Sequence, residues 1–179
     1  MVYQDNPGEF APVAESAYCS AGVLHVMLLH TDAATGVLSI FGGAPRRGGG
    51  DKLWDDLAFY RLKAAGNLVV SAVREGGSAR WVALGSAAGG TFAVAVPGDA
   101  AWADPAKPPS VSPAAVPVTA AKASVAGHAV WEVTLAPGQT AVLFVGDAGA
   151  QGKFTIAPLP AKASELNYFG FRRQMQPLH

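Results

Sequence analysis

The side chains in this chain that could do chemistry are few: four histidines, one cysteine, scattered serines and carboxylates, and four tryptophans. His25 and His30 stand five apart, which on a helix separates them by about 140° instead of stacking them as an i,i+4 pair of metal ligands would be. With His128 and His179 far away in sequence, the four read as ordinary packed or exposed histidines, and no metal site or cofactor is expected. Serine hydrolysis needs a nucleophile elbow between a strand and a helix. Gly85-Ser86-Ala87-Ala88-Gly89-Gly90 lies between two strand-like runs instead. The glycine runs at 48–50 and 89–90 lack the Lys-Ser/Thr of a phosphate-binding loop, so nucleotide binding is not expected either. Flat aromatics on a β-sheet can stack on sugar rings. Trp81 and Trp131 fall in mid-strand and read as core. Trp102, between Asp99 and Asp104 in a proline-rich stretch, reads as exposed and is the candidate sugar-binding residue. Arg46-Arg47 and Arg172-Arg173 read as solvated surface pairs.

These residues are held by elements of two kinds. Met1 to Pro12 carries Asn6-Pro7-Gly8 and Pro12, turn and breaker signals that make it a lead-in. From Val13 to His30, Ala17, Tyr18, Ala21, Leu24 and Leu28 recur at helical spacing while Val23, Val26 and Met27 fill most of the remaining faces. That pattern predicts a helix buried nearly all round. A strand over Val23 to Leu29 competes with it, since Gly22 interrupts a helix at about 1 kcal/mol relative to alanine.

Thr31 to Gly36 is a polar connection, Val37 to Phe41 a short strand, and Gly42 to Lys52 a glycine-rich exposed loop. Leu57 to Leu62 precedes the clearest hairpin, Leu68–Val73 and Ala79–Leu84 joined at Glu75-Gly76-Gly77. Thr91 to Val96 is expected as a third strand of the same meander. Pro97 to Val118 holds six prolines, and proline denies ladder hydrogen bonds to a central strand, so this is a semi-extended crossing. A second hairpin is expected from Ala129–Leu135 and Gln139–Val145 around Ala136-Pro137-Gly138. In it Val130, Glu132 and Thr134 form the wet face and Trp131, Val133 and Leu135 the buried one.

Lys153 to Ile156 reads as a last strand, and 157–179 as an irregular tail whose Tyr168, Phe169 and Phe171 need a surface to cover. The expected fold is mainly β, an antiparallel β-sandwich preceded by one N-terminal helix. Its divisions are 1–36 (lead-in and apolar helix), 37–156 (sandwich, with the crossing at 97–118) and 157–179 (tail).

Composition narrows the class. A chain of 179 residues that is 50% hydrophobic and 15% charged is too apolar to be disordered. Thirteen basic and thirteen acidic side chains cancel, so no long-range field favours nucleic acid or an anionic membrane. No apolar run approaches the roughly 20 residues needed to span a bilayer, and a soluble chain is expected. Cys19 alone forms no internal disulfide and leaves the compartment open. Residues 1–20 do not follow a secretory signal pattern. An apolar helix so close to Met1 makes the chain read like a piece of a larger protein.

One stretch carries a resemblance. Trp54 followed by Asp55-Asp56, Phe59 two residues before Arg61-Leu62, Lys63-Ala64-Ala65-Gly66, Val70-Ser71-Ala72-Val73-Arg74, Gly76-Gly77, Arg80-Trp81-Val82 and Ser86-Ala87-Ala88-Gly89-Gly90 come in that order. The series resembles the start of the C-terminal β-domain in glycoside hydrolases related to the family 95 α-L-fucosidases. Upstream, His25-Val26-Met27-Leu28-Leu29-His30, Gly36 to Phe41 and Ala44-Pro45 resemble the last helix of their (α/α)6 barrel and the strand that leaves it. The resemblance covers roughly residues 12 to 92.

It implies that Glu15, eleven residues before Val26, stands where those enzymes carry a general-base acid. Their acid sits in an Asp-Gly-Asn-Phe-Gly context; here the context is Glu15-Ser16-Ala17-Tyr18-Cys19, which leaves fucose specificity open. Inverting hydrolysis also needs a second carboxylate about 6.5 to 9.5 Å away, which the missing barrel would supply. A helix-terminal acid favoured by the helix dipole is the plainer reading of Glu15.

The resemblance thus implies a non-catalytic C-terminal portion supporting a barrel absent from this chain. The alternative is an autonomous carbohydrate-binding or protein-interaction sandwich. The expected partners are a carbohydrate, a missing barrel or partner chain, or a second copy through the apolar helix.

Overall fold

The computed structural model describes residues 14–44, 54–146, 154 and 156, with side chains from Ala21 onward. Contacts divide the chain into Val23–Ile156 and a second unit of Met1–Gly22 with Ala157–His179. Of the second unit, the described residues are those of the first turns of helix α1.

Helix α1 spans Ala14–Leu28 and runs directly into a sandwich that has ten strands among the described residues. The strands are β1 (Leu29–Thr31), β2 (Leu38–Ile40), β3 (Leu57–Ala64), β4 (Leu68–Glu75), β5 (Ser78–Ser86), β6 (Gly90–Ala95), β7 (Ser110–Ser112), β8 (Val118–Val125), β9 (His128–Leu135) and β10 (Thr140–Phe144). One sheet has the order β1-β2-β6-β9-β8 and the other β3-β4-β5-β10-β7. Every pairing is antiparallel except β2 with β6. The mainly β expectation, two packed sheets behind one helix, holds.

The inward-facing residues of both sheets form one core. Ile40, Val94, Trp131 and Val133 from the first sheet meet Val70, Ala72, Val82, Leu84, Ala141 and Leu143 from the second, each essentially without exposure. Trp131 lies in this core, as its mid-strand position implies, whereas Trp81, though only 5% exposed, points to the outer face of its sheet, where Phe154 covers it. In β9 the expected alternation holds from Trp131 to Leu135. Val130 is also buried, because on the outer face of its sheet it packs with Val37 and Ala95.

Two expected pairings are corrected. β6 is not the third strand of the β4–β5 meander; it lies in the other sheet against β9, and β10 takes the place beside β5. For the same reason β9 and β10 are not a hairpin: β9 pairs with β8 across the turn at Ala126-Gly127. The cause is a corner that both chains turn side by side, as strands that switch sheets do at a bend. The register runs straight through it, from Phe144 opposite Trp81 at one end to Val130 opposite Ala95 at the other, so neither chain gains a residue at the bend.

Ser86 N donates to Gln139 O at 3.1 Å, and Gly138 N to Ser86 O at 2.9 Å. Gly89, at φ 72°, brings the two backbones together: a Cβ there would stand 2.7 Å from Pro137 N. Only glycine fits both the positive φ and this approach.

The meander is instead β3-β4-β5. The proline-rich crossing does cross between layers, and it contributes edge strand β7 to the second sheet before β8 forms the edge of the first. Edge positions are where prolines on either side of a short strand are tolerated.

The helix differs from expectation in its surroundings. It is locked to the first sheet at its C-terminal end, where Phe41 N donates to Leu28 O at 2.8 Å and Gly43 N to Met27 O at 3.2 Å. Val23, Leu24 and Val26 are nonetheless 60%, 48% and 55% exposed. Burial on nearly all sides is therefore corrected for this part of α1: no layer of the sandwich lies against these side chains. No helix among the described residues is long and apolar enough to cross a membrane.

Candidate functional site

A trough of about 640 Å³ lies on the outer face of the β3-β4-β5-β10 sheet. Its floor comes from outward-pointing positions of three neighbouring strands: Val69 and Ser71 on β4, Trp81, Ala83 and Gly85 on β5, and Thr140 on β10. Solvated sheet faces usually carry larger polar side chains; here alanine, glycine and serine leave room above the backbone. The sheet corner closes one end with Ser86, Ala87, Gly138 and Gln139. Phe154 closes the other side, edge-on to Trp81 with centroids 6.2 Å apart and 5.3 Å from the ring of Phe144.

The rim is made by a bulge in β3. Pairing with β4 shifts register between Phe59 and Leu62. Both of those side chains pack on the core, and a spacing of three requires one extra residue in a period-two strand. Arg61 takes up the difference with φ 55°, a left-handed conformation costing on the order of 1–3 kcal/mol for a residue other than glycine. Its amide donates to Ser71 Oγ at 2.9 Å, which holds the bulge. As a result Tyr60 and Arg61, neighbours that would otherwise point to opposite faces, both line the trough. Tyr60 is 68% exposed, and Arg61 is the one charged residue among the described lining residues.

Hydroxyl and amide groups of Ser71, Ser86, Gln139 and Thr140 complete the wall. Gln139 Oε1 accepts from Ala136 N at 2.7 Å, which leaves its amide NH₂ to donate. A second cavity beside Arg74, Gly98 and Asp99 is about 10 Å³, room for a single water at most.

The candidates from sequence fare differently. Trp102 is corrected: it is 1% exposed and belongs to the core. Its indole Nε1 donates to Ala79 O at 2.9 Å. The Asp99 side chain caps the short 3₁₀ turn Ala100–Trp102 by accepting from Ala101 N at 3.0 Å, and it also accepts from Ala79 N at 2.5 Å. Asp99 thus fastens this turn to β5 and folds the indole inward, away from any sugar. Glu15 lies in the first turn of α1, and its side chain falls outside the described residues.

His25 and His30 are exposed. His128 is structural: Gly98 N donates to its Nε2 at 2.9 Å, which puts the ring proton on Nδ1, facing Ala126 O at 2.9 Å. No cluster of three metal-ligating side chains occurs among the described residues. Arg46-Arg47, Arg172-Arg173, His179, most of the 42–52 loop and the 157–179 tail lie outside them, as do Lys153 and Thr155 of the Lys153–Ile156 run.

Tyr60 and Arg61 were not singled out from the sequence. The signal was present in the three-residue spacing of Phe59 and Leu62, which no regular strand accommodates on one face.

No model of a known protein family matches the chain, and no curated protein matches it.

Proposed function

We propose that this chain is the non-catalytic C-terminal portion of a protein similar to the family 95 glycoside hydrolases, a β-sandwich that supports a carbohydrate-hydrolysing helical barrel not contained in it. The carrying observation is the apolar stretch of α1, Val23, Leu24 and Val26, left exposed beside a helix end that is hydrogen-bonded into the sandwich. Three aliphatic side chains within one helical turn at that exposure suit a helix–helix contact, and a barrel helix is the surface they would pack on.

The expected behaviour of the purified chain is self-association and binding of a dye specific for apolar surface. Val23→Lys, Leu24→Gln and Val26→Lys together should give a monomer with unchanged melting. A clean wild-type monomer with no dye binding in sedimentation contradicts the reading. So does turnover of aryl fucosides, galactosides or rhamnosides that Glu15→Gln abolishes.

A second reading, carbohydrate binding by the sandwich itself, is favoured by the trough. An exposed tyrosine ring beside hydroxyl and amide donors matches a sugar's apolar face and polar edge.

A further inference from the structure

We infer that the trough binds an acidic sugar, a uronate ring whose carboxylate pairs with Arg61; this deepens the carbohydrate-binding reading and rests on it. The bulge in β3 is the first support. A left-handed arginine held by a buried serine is a strained arrangement, and bulges recur where a strand must re-aim a side chain at a ligand. Here the bulge turns a cation and an aromatic ring onto the same face.

Charge is the second support. No Asp or Glu is among the described lining residues, and no ion pair of Arg61 occurs among them. Among the described residues the guanidinium fork has no ion-pair partner, and a ligand carboxylate is the group it pairs with best in bidentate geometry.

Shape is the third. Ala83 and Gly85 leave floor space for a ring, Tyr60 offers a face to stack on, and Thr140 and the Gln139 amide supply groups for ring hydroxyls. A neutral sugar would use the same floor and walls without the charged contact.

The test is titration of the full chain, followed by tryptophan fluorescence and calorimetry, with trigalacturonate and with its neutral methyl ester. Trigalacturonate is expected to bind saturably and at least about tenfold more tightly than the ester, the discrimination expected of one charge-assisted pair. Arg61→Asn removes the charge while tolerating the left-handed backbone, and should lose that tenfold preference without loss of stability. Ala83→Leu fills the floor and should weaken both ligands. Equal binding of the two ligands, or a preference that survives in Arg61→Asn, overturns the uronate assignment while leaving the carbohydrate reading standing. Binding of neither ligand by the folded chain overturns both.

Discussion

Val69 and Val70 are adjacent on β4, yet one lines the outer trough and the other has no exposed surface and packs in the core. Aspartate at each position should therefore have very different consequences. In Val70→Asp the loss of valine burial costs about 1.5–3 kcal/mol. A carboxyl left without a partner costs roughly 1–3 kcal/mol more even when protonated.

The sign of the pH effect follows from burial. Desolvation raises the folded-state pKa of this aspartate above the unfolded value of about 3.9. The deficit is then smallest below that value and grows as pH rises toward the folded pKa. Each pH unit adds about 1.4 kcal/mol while the group stays protonated in the folded chain. With the group still protonated near pH 7 the total reaches roughly 7–10 kcal/mol, comparable with the whole stability of a domain this size. Val69→Asp, on the outer face, should cost about 1 kcal/mol at any pH, mostly through the poor strand propensity of aspartate. Urea unfolding followed by tryptophan fluorescence near pH 4.5 and pH 7 measures both. Equal destabilisation by the two substitutions, or a Val70→Asp deficit that does not change with pH, refutes the assignment of faces.

Three further outcomes are expected. Gly89→Ala should lower stability by about 2 kcal/mol or more through strain and collision at the sheet corner, whereas Gly127→Ala, at φ +76° with nothing within 4 Å of its Cβ, should lose only about 1 kcal/mol of backbone preference; thermal melts separate them. Asp99→Asn leaves one acceptor oxygen where Ser78 Oγ, Ala79 N and Ala101 N now donate to a carboxylate, and should cost about 2–3 kcal/mol in urea midpoint experiments. The Asp32 carboxyl is held below its ordinary 3.8 by the Thr35 hydroxyl and then by backbone amides, so the ordering of the Asp32–Gly36 turn is present above that value and is lost as pH falls through the lower folded-state pKa. Amide NMR shifts of Ala34 and Thr35 that instead moved between pH 4 and 6 would contradict it.

The parts of the fold legible in sequence are those set by near neighbours. Leu68 to Leu84 declares its hairpin through alternating β-branched residues and Gly76-Gly77, and Trp131 to Leu135 declares its buried face by period. What was not legible is partner choice over long separations. Gly89-Gly90 and Pro137-Gly138 have the chemistry of hairpin turns, but each carries its strand into the other sheet, because the two bends pack on each other about fifty residues apart in sequence.

β8 went unread because Val118 to Val125 is mostly alanine, serine and lysine on an edge, where little is buried and the alternation is weak. Trp102 was misread for a similar reason. Its flanking acids suggest solvent, but Asp99 is occupied by β5 amide and hydroxyl groups, and the indole finds its acceptor 23 residues away. For the candidate site, the floor residues Ser71, Ala83 and Gly85 look unremarkable in sequence, since smallness becomes a feature only when three strands set them side by side.

The paired bend of β5–β6 with β9–β10 has a consequence for how the molecule comes apart. The four strands form one long ribbon folded across both layers, so each layer's central ladder is continuous with the other's. Fraying one layer pulls directly on the hydrogen bonds of its neighbour. Amide protons of Val82 and Val133, in different layers, should therefore exchange through the same global opening and report the same free energy. A proteolytic nick at either bend alone should leave the two fragments associated, because the other strand of the ribbon still ties the layers together.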